Sequence, residues 1–142
     1  MSRNPRETMK IGETFAKTLK RGNIVAFWGE LGSGKTTMIK GICRKFGIRE
    51  NVKSPSYVLL RIYRGEITIY HFDFYRIVKR EEIINTGLED YLNSAGIVVI
   101  EWADRVESLL PESRYDVFMK IIAEKERKIT ISRKRLPGLH KK

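Results

Sequence analysis

The segment Gly29-Glu30-Leu31-Gly32-Ser33-Gly34-Lys35-Thr36 constrains the fold more than any other part of the chain. It fits the pattern G-x-x-x-x-G-K-[ST] and lies between two stretches of different periodicity. Before it, Ile24-Val25-Ala26-Phe27-Trp28 is a continuous apolar run, as expected of a strand covered on both faces. After it, Met38, Ile39, Ile42, Cys43 and Phe46 recur at helical spacing up to Gly47. Strand, glycine-rich loop and helix in that order predict a phosphate-binding loop. Glycines at 29, 32 and 34 let backbone N–H groups approach phosphate oxygens, and the helix N-terminus adds positive potential. Lys35 is placed to reach the β- and γ-phosphates, and the Thr36 hydroxyl to ligate Mg²⁺. A plain glycine turn capping a helix would not require the Lys-Thr pair.

The rest of the chain is punctuated at intervals that suit one domain. Residues 8–20 carry Met9, Ile11, Phe15, Ala16 and Leu19 at mostly helical spacing, stopped by Arg21-Gly22-Asn23. Residues 57–63 and 67–74, joined by Arg64-Gly65-Glu66, predict a hairpin. Residues 80–92 predict a helical stretch interrupted near Gly87, and Gly96 introduces a second buried apolar run, Ile97-Val98-Val99-Ile100. A short helix over 104–110, ended by Pro111, and closing strands over 115–122 and 128–132 complete the reading. The expected fold is an α/β, P-loop NTPase-like three-layer domain with a mixed, mostly parallel central sheet over residues 1–134, followed by a basic tail, 135–142.

At 142 residues the chain has room for one such domain. A single cysteine, Cys43, excludes an internal disulfide and suits a reducing, cytoplasmic setting. Cys43 falls on the apolar face of the helix after the loop and reads as core, not as a nucleophile. No signal-peptide pattern opens the sequence and no run approaches the roughly 20 apolar residues of a membrane span. The net charge of +11 is concentrated: residues 125–142 hold eight basic side chains and one acid, leaving +4 on residues 1–124. Such a segment attracts phosphate backbones or acidic protein surfaces, or is a solvated terminus on an ion-pair-rich surface.

A P-loop enzyme also needs an acid near the metal, usually at the end of a neighbouring buried strand. Glu101 ends the run GIVVIEW, and Asp73 lies in HFDFY near the end of the hairpin's second strand. His71 stands two residues from Asp73, with no second His or Cys at ligand spacing, and reads as structural. Trp28 and Trp102 each end a strand beside the phosphate site, as core packing or as a wall of the nucleotide pocket.

Taken in order, these motifs resemble the TsaE (YjeE) family from about residue 8 to 132. The matching features are GELGSGKTT at 29–37, Ser54-Pro55-Ser56-Tyr57, the HFDFYR segment at 71–76, the E-x-x-x-x-G-L-E-x-Y pattern at 82–91, and Glu101-Trp102. Ser33 stands where alanine is commoner, and Ala103 where proline is common. The resemblance implies a Mg²⁺-dependent ATPase required for threonylcarbamoyladenosine formation beside the anticodon of certain tRNAs. It implies that the protein binds a TsaB–TsaD pair and resets it by hydrolysis, meeting tRNA through that complex. Under it, Lys35, Asp73 and Glu101 are catalytic, and Thr36 and Glu101 hold Mg²⁺. Glu30, Leu31, Gly32, Ser33, Gly34, Lys35, Thr36, Thr37 and Trp102 surround ATP, with Thr8 and the region of Arg133 approaching adenine. Ser54, Pro55 and Ser56 form a loop that responds to the γ-phosphate.

Three other readings share some of these features. A small-molecule or nucleoside kinase uses the same loop but needs an acceptor site and an Arg-bearing lid, for which the segment between Lys53 and Glu101 has little room. A GTPase would carry Asn-Lys-x-Asp and Asp-x-x-Gly, which the sequence lacks. A non-catalytic RNA-binding module would leave the P-loop unexplained.

Overall fold

The computed structural model describes residues 1–52, 59–75 and 79–134. Helix α1, Pro5–Ala16, starts three residues before the expected stretch 8–20 and ends four residues short of it. The extended Asn4 caps it, its side chain accepting the Glu7 N–H at 2.9 Å, and Pro5 occupies the first turn, where no N–H is required. Strand β1, Ile24–Trp28, and helix α2, Lys35–Lys45, follow with the phosphate loop between them. The two helices touch through glycine. A Cβ on Gly12 would lie 2.2 Å from the Met38 carbonyl oxygen, and one on Gly41 2.0 Å from that of Met9. Backbone contact of this kind seats the start of α1 beside the phosphate loop.

Strands β2, Leu60–Tyr63, and β3, Ile69–Asp73, form the expected hairpin, with Leu60 opposite Phe72 and Tyr63 opposite Ile69. Helices α3, Arg80–Asn85, and α4, Leu88–Leu92, are separated by Gly87 at φ +77°, the predicted interruption. Strand β4, Ile97–Glu101, is buried along its whole length. The helix expected over 104–110 is two short 3₁₀ turns, Ala103–Arg105 and Glu107–Leu109. Val106 between them leaves helical geometry (φ −128°, ψ 15°) and is buried in the core, so one continuous helix does not form. Strands β5, Arg114–Ile121, and β6, Arg127–Lys134, close the chain. Much of the basic segment from residue 125 is therefore ordered: β6 is an edge strand whose exposed lysines suit that position. The tail, 135–142, and the Ser54-Pro55-Ser56 loop lie outside the described residues.

The sheet order is β2-β3-β4-β1-β5-β6. Pairings β3–β4, β4–β1 and β1–β5 are parallel, and the outer pairs β2–β3 and β5–β6 are antiparallel. Because successive strand residues face opposite sides, each buried strand supplies two cores. Val25 and Phe27 join Ile97, Val99, Val117 and the apolar faces of α1 and α2. Ile24 and Ala26 join Val98, Ile100 and Phe72 beneath Ile83, Leu88 and Val106. The result is the expected three-layer α/β domain with a mixed, mostly parallel sheet.

Candidate functional site

The phosphate loop leaves the C-terminal end of β1 and turns at once into α2. Gly34 caps that helix in the left-handed region (φ +101°, ψ 16°), a conformation costly for any residue with a Cβ. Gly29 (φ +155°) passes so close to β5 that a Cβ there would meet the Met119 carbonyl oxygen at 2.5 Å. The Lys35 side chain folds across its own loop. Its ammonium donates to the carbonyls of Gly29 and, at 3.3 Å, Glu30, and lies 3.9 Å from the centroid of a Trp102 ring. Burial pushes the Lys35 pKa below its ordinary value, against the opposing pull of the Glu101, Asp73, Asp104 and Glu30 carboxylates.

The two acids singled out from the sequence meet at the same place. Parallel pairing of β3 with β4 sets Asp73 directly beside Glu101. The Thr36 hydroxyl, in the first turn of α2, lies 3.1 and 3.0 Å from the two Glu101 carboxylate oxygens. Asp73 is buried and accepts the Tyr75 N–H at 2.9 Å. Together with Gly32, Ser33, Gly34 and Thr37, these residues line a cleft of about 360 Å³, walled by Leu31, Tyr75 and Trp102. Trp102 reaches the cleft through a left-handed backbone (φ 60°, ψ 47°) immediately after β4, and its ring packs on Tyr75 at 4.8 Å. That conformation is costly for a non-glycine residue, and here it sets the ring beside the loop.

The donors also suit a particular ion. A hydroxyl and a carboxylate are hard oxygen ligands, and Mg²⁺ is characteristically held by one or two protein oxygens, with phosphate and water completing its shell. Thr36 and Glu101 fit that requirement.

Other expected residues fall in different places. Thr8 is buried, its hydroxyl 2.7 Å from that of Ser2, and its methyl lies 3.6 Å from where a Cβ on Gly34 would be. It abuts the loop. The structure does not bring Arg133 to the cleft: the guanidinium stacks 4.3 Å over Tyr115, which pairs with Val25, three residues before the strand end that carries the loop. Because β6 runs antiparallel to β5, the start of β6 is the end nearer the loop. Arg127 accordingly donates to the Gly32 carbonyl at 3.1 Å, a contact that sequence reasoning missed. Cys43 is fully buried, and burial pushes its thiol up to about 12, consistent with a core residue.

Two pairings were not foreseen. His71 is fully buried with Nε2 2.7 Å from Glu101 Oε2, so it belongs to the site and not merely to the framework. The available signal was a histidine two residues before Asp73, on the same face of the strand. Trp28 donates its indole N–H to Asp116 at 2.9 Å, and Asp116 also accepts from Arg114 Nε at 2.9 Å. An Arg-x-Asp pair in a strand hints at this ion pair, but nothing local points to the tryptophan.

The comparisons agree with the motifs. A family model described as "Threonylcarbamoyl adenosine biosynthesis protein TsaE" matches residues 2–129. The tRNA threonylcarbamoyladenosine biosynthesis protein TsaE of Treponema pallidum (strain Nichols) is 35% identical over 132 residues, 93% of this chain and 98% of the relative. That of Bacillus subtilis (strain 168) is 35% identical over 130 residues, 91% and 81% of the two chains. Among solved structures, the crystal structure of YdiB from Bacillus subtilis superposes with a TM-score of 0.80 at 32% identity, covering 93% of this chain and 82% of that one.

Proposed function

This chain belongs to the TsaE family of tRNA threonylcarbamoyladenosine biosynthesis proteins, and from that premise we propose that it is a Mg²⁺-dependent ATPase that resets a TsaB–TsaD pair between turnovers. The observation that carries the reading is the meeting of the Thr36 hydroxyl with the Glu101 carboxylate at 3.0–3.1 Å beside the phosphate loop. One hydroxyl and one carboxylate at that point are what MgATP chemistry needs from a P-loop protein.

Each residue then has a task. The loop N–H groups and the N-terminus of α2 hold the phosphates, and the Lys35 ammonium exchanges its loop carbonyls for phosphate oxygens. Thr36 and Glu101 would hold Mg²⁺, which would supply neutralisation of phosphate charge. Asp73, beside Glu101 in the cleft, orients the attacking water through its carboxylate. Trp102 and Tyr75 wall the cleft against bulk water. The protein transfers no threonylcarbamoyl group. Loss of the γ-phosphate would change the contacts of nearby loops, a sufficient source of the conformational signal to the partners. It would act in the cytoplasm and meet tRNA through the complex.

The test is hydrolysis of MgATP by purified protein, alone and with TsaB–TsaD. Stimulation by the pair, abolished by Glu101→Ala, is expected. Phosphate appearing on an added nucleoside or sugar, with no stimulation, would transfer the assignment to a kinase.

A further inference from the structure

His71 is an anomaly in its strand. It lies on the same face of β3 as Ile69 and Asp73, pairs in register with Val99 of β4 and Arg61 of β2, and is fully buried. An imidazole in such a place costs free energy that an isoleucine or valine would not, since each ring nitrogen must lose water. Only one nitrogen is compensated. Nε2 lies 2.7 Å from Glu101 Oε2, and Nδ1 has no hydrogen-bond partner among the described residues.

The geometry assigns the proton. A carboxylate oxygen can only accept, so Nε2 carries a hydrogen and donates it to Oε2. The acceptor, Oε2, is also within 3.0 Å of the Thr36 hydroxyl. The hydroxyl also lies 3.1 Å from Oε1, so the Glu101 carboxylate is held from β3 by His71 and from α2 by Thr36. Metal ligands are commonly oriented by such outer partners, whose removal costs about 10–100-fold in metal affinity or activity.

We infer that His71 is a positioning residue that holds the Glu101 carboxylate, through Nε2–H, in the orientation that binds the cation accompanying ATP. The inference rests on the ATPase reading above and adds a residue to it. A merely structural histidine would influence folding and nucleotide binding without regard to the cation. A positioning histidine acts on the cation alone.

The test is calorimetric titration of the full chain with ATP, in EDTA and across a series of MgCl₂ concentrations, for the wild type, His71→Ala and His71→Gln. His71→Ala is expected to raise the Mg²⁺ concentration needed for half-maximal tight ATP binding by about tenfold or more, while leaving affinity in EDTA unchanged. His71→Gln, whose amide restores an N–H donor, should recover most of the loss. It also guards against a cavity artefact in the alanine variant. In a Glu101→Gln background the effect of His71→Ala should vanish. Equal weakening in EDTA and in Mg²⁺, or no change in Mg²⁺ dependence, would overturn the role of His71 while sparing the ATPase reading. Absence of any Mg²⁺ enhancement in the wild type would instead remove that reading and this inference with it.

Discussion

Trp28 and Trp102 each follow the last apolar residues of a buried parallel strand, and those two strands pair with each other. Their surroundings nevertheless differ in kind. Trp28 keeps an extended strand backbone, donates its N–H to Asp116 and stacks 6.0 Å from Phe118, so its directional contacts are all made to the neighbouring strand β5. Trp102 enters the left-handed region and swings its ring over Lys35 and Tyr75, where it walls the cleft. The same side chain at equivalent strand ends becomes framework in one case and site in the other. What separates them is one backbone conformation and one buried carboxylate, not residue type or spacing.

Substitutions that exchange these two outcomes would break the comparison. The largest expected effect is from Asp116→Ala, which leaves the buried Arg114 guanidinium without its carboxylate and Trp28 without its acceptor. It should cost about 3–5 kcal/mol in denaturant unfolding, while any protein that remains folded binds MgATP normally. Trp28→Ala should follow at about 3 kcal/mol of stability, again with MgATP affinity retained. Trp102→Ala should do the reverse. Loss of the ring beside the Lys35 ammonium should weaken MgATP binding by about 1–2 kcal/mol in a titration, with a smaller change in thermal midpoint. A Trp28 variant that lost binding in preference to stability, or a Trp102 variant that did the opposite, would collapse the distinction.

The smallest effect sharpens it. Trp102→Gly removes the same ring as Trp102→Ala but also relieves the left-handed backbone, so the glycine variant should be about 1 kcal/mol more stable than the alanine variant by chemical denaturation. Equal stabilities would mean that the backbone at Trp102 carries no strain.

The parts of the molecule that were legible in the sequence are those whose physics is local. The phosphate loop, β1 and α2 are contiguous, and β4 announced itself as four apolar residues ending in an acid. Glu101 and Asp73 were readable because a strand end next to such a loop is a known place for an acid, and parallel pairing set them side by side. The start of α1 was missed because Asn4 and Pro5 act through capping and not through apolar periodicity. The 3₁₀ pair replaced a helix because burial of Val106 outweighed local propensity. The partners of His71 and Trp28 lie 30 and 88 residues away in sequence, so only the assembled sheet brings them together. The contact of Arg127 with the loop was hidden by the direction of β6, which no local pattern encodes.

The central claim is that the cleft beside Trp102 binds ATP together with a cation held by Thr36 and Glu101. The most direct measurement is tryptophan fluorescence of the Trp28→Phe variant, in which Trp102 is the sole reporter, titrated with ATP in Mg²⁺ and in EDTA. A saturable change that tightens with Mg²⁺, is lost in a Lys35→Ala background and loses its Mg²⁺ dependence with Glu101→Ala is the predicted result. No change, or a change indifferent to Mg²⁺ and to Glu101, would contradict the account.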